Sequence, residues 1–164
     1  MNNNFTSPLV IPVFIPHSGC PHCCVFCNQA LITGSKTPLP GPEDIDRIIG
    51  QYLPYKGKRT RVELAFFGGN FLGLLPGKIT ELLEMARFYV DRGQIQGIRF
   101  STRPDTVTPG NLDLIRDHDI SLVELGVQSM DDTVLKLAGR GHTSDQTRKA
   151  LSLLKGCGIP WGIQ

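Results

Sequence analysis

The residues Gly19-Cys20-Pro21-His22-Cys23-Cys24-Val25-Phe26-Cys27 hold four of the chain's five cysteines within eight positions. Thiols at this density can build a disulfide framework, a zinc site or the seat of an iron-sulfur cluster. Five is an odd count, which argues against full disulfide pairing. Two ligand registers are open: Cys20, Cys24 and Cys27 spaced C-x3-C-x2-C, or Cys20, Cys23 and Cys27 spaced C-x2-C-x3-C. A structural zinc site needs four closed ligands, usually as two pairs from separate segments. No second C-x2-C or histidine pair occurs downstream, so His17 or His22 would have to complete it. A closed ferredoxin-type cluster would need Cys23 beside Cys24, or the distant Cys157, and adjacent cysteines do not easily reach separate corners of one cube. Three thiolates on a tight loop can instead leave one iron open to a chelating ligand. Such a cluster is a reaction centre and not merely an electron carrier.

Composition bounds the setting. The 164 residues are 40% hydrophobic, as in one globular domain with a sizeable core. The 17 basic and 15 acidic residues leave a net charge of +2, which implies neither a nucleic-acid nor an anionic-membrane partner. The N-terminus MNNNFTSP has no basic region leading into an apolar core, and no apolar run reaches membrane-spanning length. A cytoplasmic protein is expected, and reduced thiols suit that compartment.

The elements that must carry the cysteines read as βα repeats. Leu9 to Ile15, interrupted by Pro12, reads as a strand at an edge or seam. Helical spacing follows from Glu43 to Leu53. Arg61 to Phe67 reads as a buried strand ending in Gly68-Gly69, and Ile79 to Val90 as a helix stopped by Gly93. GIRFSTRP supplies a third strand, with a short helix around Leu112 to Asp117. SLVELGVQ supplies a fourth, followed by helices opening at Ser129 and Thr143, each with a capping-box pattern. IPWGIQ begins a fifth. The expectation is an α/β fold with a parallel sheet, doubly wound or, as favoured, curling into a partial TIM-like barrel. Residues 1–164 then form one domain that stops at its fifth strand, where a complete barrel takes about 250 residues. Parallel α/β sheets bind ligands at the carboxyl edge, so the cysteine loop, Gly68-Gly69-Asn70, Ser101-Thr102-Arg103 and Gln128 should share one mouth.

The C-x3-C-x2-C triplet, with an aromatic before its last cysteine and placed after the first strand of a βα series, resembles the radical S-adenosylmethionine (radical SAM) superfamily. IPHSGCPHCCVFCNQ, FFGGNFLGL, STRPD and VELGVQS together look closest to the bacterial branch related to the catalytic subunit of Elongator, with the oxygen-independent coproporphyrinogen oxidases next. The resemblance selects Cys20, Cys24 and Cys27 as ligands of a 4Fe-4S cluster and leaves Cys23 aside. It implies that the reduced cluster cleaves S-adenosylmethionine to a 5′-deoxyadenosyl radical that takes hydrogen from a substrate. It places Phe26 near the adenine and Gly68, Gly69 and Asn70 at the methionine amino group. Gln128 and Arg140 resemble ribose and methionine-carboxylate contacts. Asn70 departs from the family's usual Glu, and Ser101 stands where relatives have a ribose-binding Glu, with Arg103 near enough to compensate. Gln164 stands where a further polar contact is expected. An electron donor such as flavodoxin or ferredoxin is implied, with no membrane partner.

Plainer roles stand beside these. Cys157 reads as a small buried apolar residue, His142 and Asp145 as surface and capping residues, and Arg140 as a solvated charge. The basic run Lys56 to Arg61 is compatible with RNA but reads equally as a wetted loop. The competing function is a binding module without catalysis, either an iron-sulfur electron carrier or a zinc-stabilised domain.

Overall fold

The structure, a computed structural model, describes residues 7–16, 19–22, 24–27 and 38–164. His17 and Cys23, named above, lie outside them. Strands β1 (Leu9–Ile15), β2 (Val62–Gly68), β3 (Gly97–Thr102), β4 (Ile120–Leu125) and β5 (Trp161–Ile163) form one parallel sheet in the order β1-β2-β3-β4-β5. A doubly wound sheet reverses its strand order at a switch point. Here the order never reverses, so crossovers of one hand keep the helices on one side. The architecture is an α/β partial TIM-like barrel with an open sheet. Pro12, which cannot donate to a ladder, sits in an edge strand whose one neighbour is β2.

Helices α1 (Pro42–Tyr52), α2 (Pro76–Asp91), α3 (Pro109–Ile115), α4 (Asp132–Leu137) and α5 (Ser144–Gly156) intervene. In α2, Ile79, Leu82, Leu83, Ala86 and Tyr89 recur at helical spacing and are buried. They meet the alternate strand residues Ile11, Val13, Leu64, Phe66, Ile98 and Phe100, all at most 1% exposed. Phe66, Phe71 and Phe100 stack with centroids 5.1 and 4.4 Å apart, anchoring the turn after β2 to β3. The opposite face is polar: Arg99 reaches Glu63 at 3.3 Å and also pairs with Glu124.

Three local expectations are corrected. The cap of α4 is Asp131, whose carboxylate accepts from the Thr133 and Val134 amides, whereas Ser129 accepts only from the Asp131 amide. Helix α3 starts earlier than Leu112 because Thr108 caps it through the Asn111 amide, and it ends at Ile115. Cys157 is exposed, since it forms the C-cap of α5 and not part of the core. Thr143 does cap α5 in a reciprocal box with Gln146. Among the described residues no helix is long and apolar enough to cross a membrane.

Candidate functional site

The carboxyl ends of the strands and the cysteine loop enclose a cavity of about 130 Å³. Cys20, Cys24, Cys27, Gly68, Gly69, Asn70, Ser101, Arg103, Gln128, Arg140 and Gln164 all line it, with His22, Thr102 and Gly126. Its volume is small beside the several hundred cubic ångströms of a usual cofactor pocket. A larger groove between α1 and α2 is lined by Glu43, Asp46, Glu84, Met85, Phe88 and Tyr89, with no thiol or cationic side chain among the described residues.

Close backbone approach seats the cysteine loop. Gly19 has φ +78°, and a Cβ there would stand 2.5 Å from the Asn70 carbonyl oxygen and 2.7 Å from Gly73 C. Asn70, 1% exposed, locks the contact by donating from Nδ2 to the Gly19 carbonyl at 2.7 Å. Its Oδ1 accepts from Thr102 Oγ1 at 2.7 Å, Thr106 Oγ1 at 2.9 Å and the Arg103 amide at 3.0 Å. Both ends of the amide are engaged, so the Asn that departs from the family's Glu is a clamp between the loop, β2 and β3. The far side of the loop is held where the Val25 amide donates to the Ala138 carbonyl at the end of α4.

Two guanidinium groups are buried beside the thiols. Arg103, 4% exposed, makes a bidentate pair with Asp105 at 2.9 and 3.0 Å and donates to the Arg140 carbonyl at 2.5 Å. Arg140, 7% exposed, donates from Nη1 to Cys24 Sγ at 3.3 Å and from Nη2 to the Gly126 carbonyl. It also faces the exposed Phe26 ring, 5.8 Å from its centroid. Arg140 is therefore no solvated charge. Among the described residues Arg103 Nη1 and Arg140 Nε are buried and have no hydrogen-bond partner, which leaves donors for an anionic ligand group. Ser101 is half-buried and bonded to Glu124 at 3.3 Å. Gln128 carries a φ of +66°, and its amide donates to the Gln164 carbonyl at 2.8 Å.

His142 was expected at the surface and is 4% exposed. The Gly-Arg-Gly-His order folds it inward behind Arg140, with the Val127 backbone beside the ring and, among the described residues, no full hydrogen bond to either ring nitrogen. Burial, then Arg140 and Arg103, hold its pKa below the ordinary 6.5. His22, absent from the residues singled out in the loop for the cofactor, packs its ring directly over Gly141. The Gly on either side of Arg140 was the signal for such close packing. Asp145 is exposed and paired with Lys149 at 2.8 Å, as its surface role requires.

Cys20, Cys24 and Cys27 supply the thiol donors that an iron-sulfur cluster takes. Cys20, Cys24 and Cys27 are all free, and burial pushes the Cys20 thiol up, with Arg103 and Arg140 pulling it down and the two other cysteines pushing it higher. Metal binding would replace such a retained proton. Among the described residues no three His, Cys, Asp or Glu side chains are grouped to hold a metal ion, so the three thiols share the cavity without converging on one point. A cube spreads its thiolates over separate corners, and the buried cations suit its negative charge.

The chain is 27% identical over 170 residues to a tRNA uridine(34) acetyltransferase of Dehalococcoides mccartyi (strain CBDB1), covering 85% of this chain and 37% of that protein. It is 30% identical over 148 residues to the oxygen-independent coproporphyrinogen-III oxidase-like protein HemZ of Bacillus subtilis (strain 168), covering 84% and 29% respectively. The chain thus spans about a third of these relatives' length. The solved structure of native anSMEcpe with bound AdoMet and Cp18Cys peptide superposes with a TM-score of 0.67 at 17% identity, over 96% of this chain and 42% of that one. The Radical SAM superfamily model matches residues 14–163, from the end of β1 through β5, and so takes in the cysteine loop and every residue that lines the cavity except Gln164. By that match the chain belongs to the Radical SAM superfamily.

Proposed function

We propose that this chain is the core of a radical SAM enzyme, in which Cys20, Cys24 and Cys27 hold a 4Fe-4S cluster and the strand-end residues hold S-adenosylmethionine. The observation that carries the reading is the gathering of three free thiols, two buried guanidinium groups and the Gly68-Gly69 turn around one cavity. When bound, the cluster supplies the electron that cleaves the sulfonium, giving a 5′-deoxyadenosyl radical that abstracts hydrogen from the substrate. The chain's own residues bind and orient. Arg140 Nε and Arg103 Nη1 supply donors for the methionine carboxylate, and a guanidinium fork suits a carboxylate. Gly68 and Gly69 let the backbone approach the methionine amino group, and Gly68 has no room for a side chain, since a Cβ would stand 2.6 Å from the Ile15 carbonyl oxygen. Phe26 offers a ring to the adenine, and Gln128, Ser101 and Gln164 offer polar groups to the ribose. No side chain is required as a general acid or base for the cleavage.

Residues 1–164 are read as the radical SAM core of a larger protein in the cytoplasm, supplied with electrons by a flavodoxin or ferredoxin. The relatives that act on tRNA support an RNA substrate. The competing reading is an electron carrier or zinc-stabilised module. Iron and sulfide analysis of the anaerobically reconstituted full-length protein tests the ligand set. Single replacement of Cys20, Cys24 or Cys27 by Ser abolishes loading, and Cys157→Ser leaves it intact; loading that depends on Cys157, or zinc in place of iron, contradicts the assignment.

A further inference from the structure

Arg140 reaches the cysteine loop from far along the chain and is fixed at both ends. Its amide donates to the Leu135 carbonyl at 3.0 Å, its own carbonyl accepts from Arg103, and its Nη2 donates to the Gly126 carbonyl. That leaves Nη1 pointed at Cys24 Sγ, 3.3 Å away, with both residues buried. The charge balance separates the two arginines. Arg103 is neutralised by Asp105 at 2.9 Å, whereas Arg140 has no acidic partner among the described residues. Its charge is thus offset by no carboxylate there, and one of its N–H groups is directed at a sulfur in a low-dielectric setting, where electrostatic interactions are strong. Hydrogen bonds to cluster sulfurs and local charge are among the terms that set a cluster's reduction potential. A cation donating to a ligating sulfur favours the reduced, more negative state.

We propose that Arg140 tunes the cluster through Cys24, its N–H···S contact raising the reduction potential so that a cellular donor can reduce the cluster. This role rests on the ligand assignment proposed above and is separate from any contact of Arg140 with the methionine carboxylate. The test is a potentiometric titration followed by electron paramagnetic resonance, on anaerobically reconstituted full-length protein without S-adenosylmethionine. Wild type, Arg140→Lys and Arg140→Met are compared at equal iron content. The Met variant is expected at the most negative potential, and the Lys variant between the two, because an ammonium keeps the charge but lacks the two-nitrogen fork with which Arg140 reaches Gly126 and Cys24. If the Met variant loads no iron, the Lys variant carries the comparison, and a negative shift is still expected. Coincident potentials for wild type and the loaded variants overturn the tuning role while leaving the ligand assignment standing. A wild-type protein that assembles no iron-sulfur cluster overturns the assignment itself.

Discussion

At the scale of single residues, Asn70 and His142 carry the tightest constraints. Asn70→Asp keeps the acceptor that serves Thr102, Thr106 and the Arg103 amide but sets a carboxylate oxygen against the Gly19 carbonyl. The lost bond and the buried mismatch should cost about 2 kcal/mol, measured by denaturant unfolding, and reconstituted iron content should fall with it. A variant as stable as wild type would show that the clamp does not seat the loop. Burial holds the His142 pKa below the ordinary 6.5 in the fold, whereas the unfolded chain protonates near that value. The unfolded state therefore binds more protons below that value, so stability is full above it and falls as pH drops through it. Melting temperatures from pH 7.5 to 5.5 should fall more in wild type than in His142→Gln; equal slopes would contradict a buried neutral ring. Neither residue's role could be read from spacing. Asn70 looked like a departure from a family pattern, and its three acceptor contacts come from β3 and the turn after it. His142 follows a Gly-Arg-Gly run, and only the packing of that turn against the cysteine loop buries it. The cysteine loop itself was legible because its spacing is local, although spacing alone left two registers open.

At the scale of elements, the helix caps show where local sequence is decisive and where it is degenerate. Thr143 with Gln146 forms the reciprocal box that the sequence implies, and Thr143→Ala should lower stability by about 1 kcal/mol. For α4, Ser129 with Asp132 matches the capping pattern, yet Asp131 stands two residues later and receives both helix amides. The path of the chain out of β4, with Gln128 at φ +66°, decides between them. Asp131→Ala is therefore expected to destabilise more than Ser129→Ala in thermal melts, and the reverse order would restore Ser129 as the cap. Strands were found within a few residues because their apolar runs are bounded by Gly and Pro. The choice of a curling over a doubly wound sheet needed the strand order, which no single segment encodes.

At the scale of the whole molecule, a parallel sheet in unbroken order sends every strand's carboxyl end to one rim, and the cysteine loop closes over that rim. The grouping of distant polar residues was legible as soon as the βα alternation was recognised, because topology alone brings them together. What each does there depends on burial and charge at the rim, which sequence leaves open. The central claim is that one iron of the cluster is left for S-adenosylmethionine. Electron paramagnetic resonance of the reduced, reconstituted full-length protein, recorded with and without S-adenosylmethionine, tests it most directly. The account predicts a 4Fe-4S signal that changes on addition of the cofactor. A signal unaltered by S-adenosylmethionine, from a cluster whose four irons are all held by side chains, would contradict it.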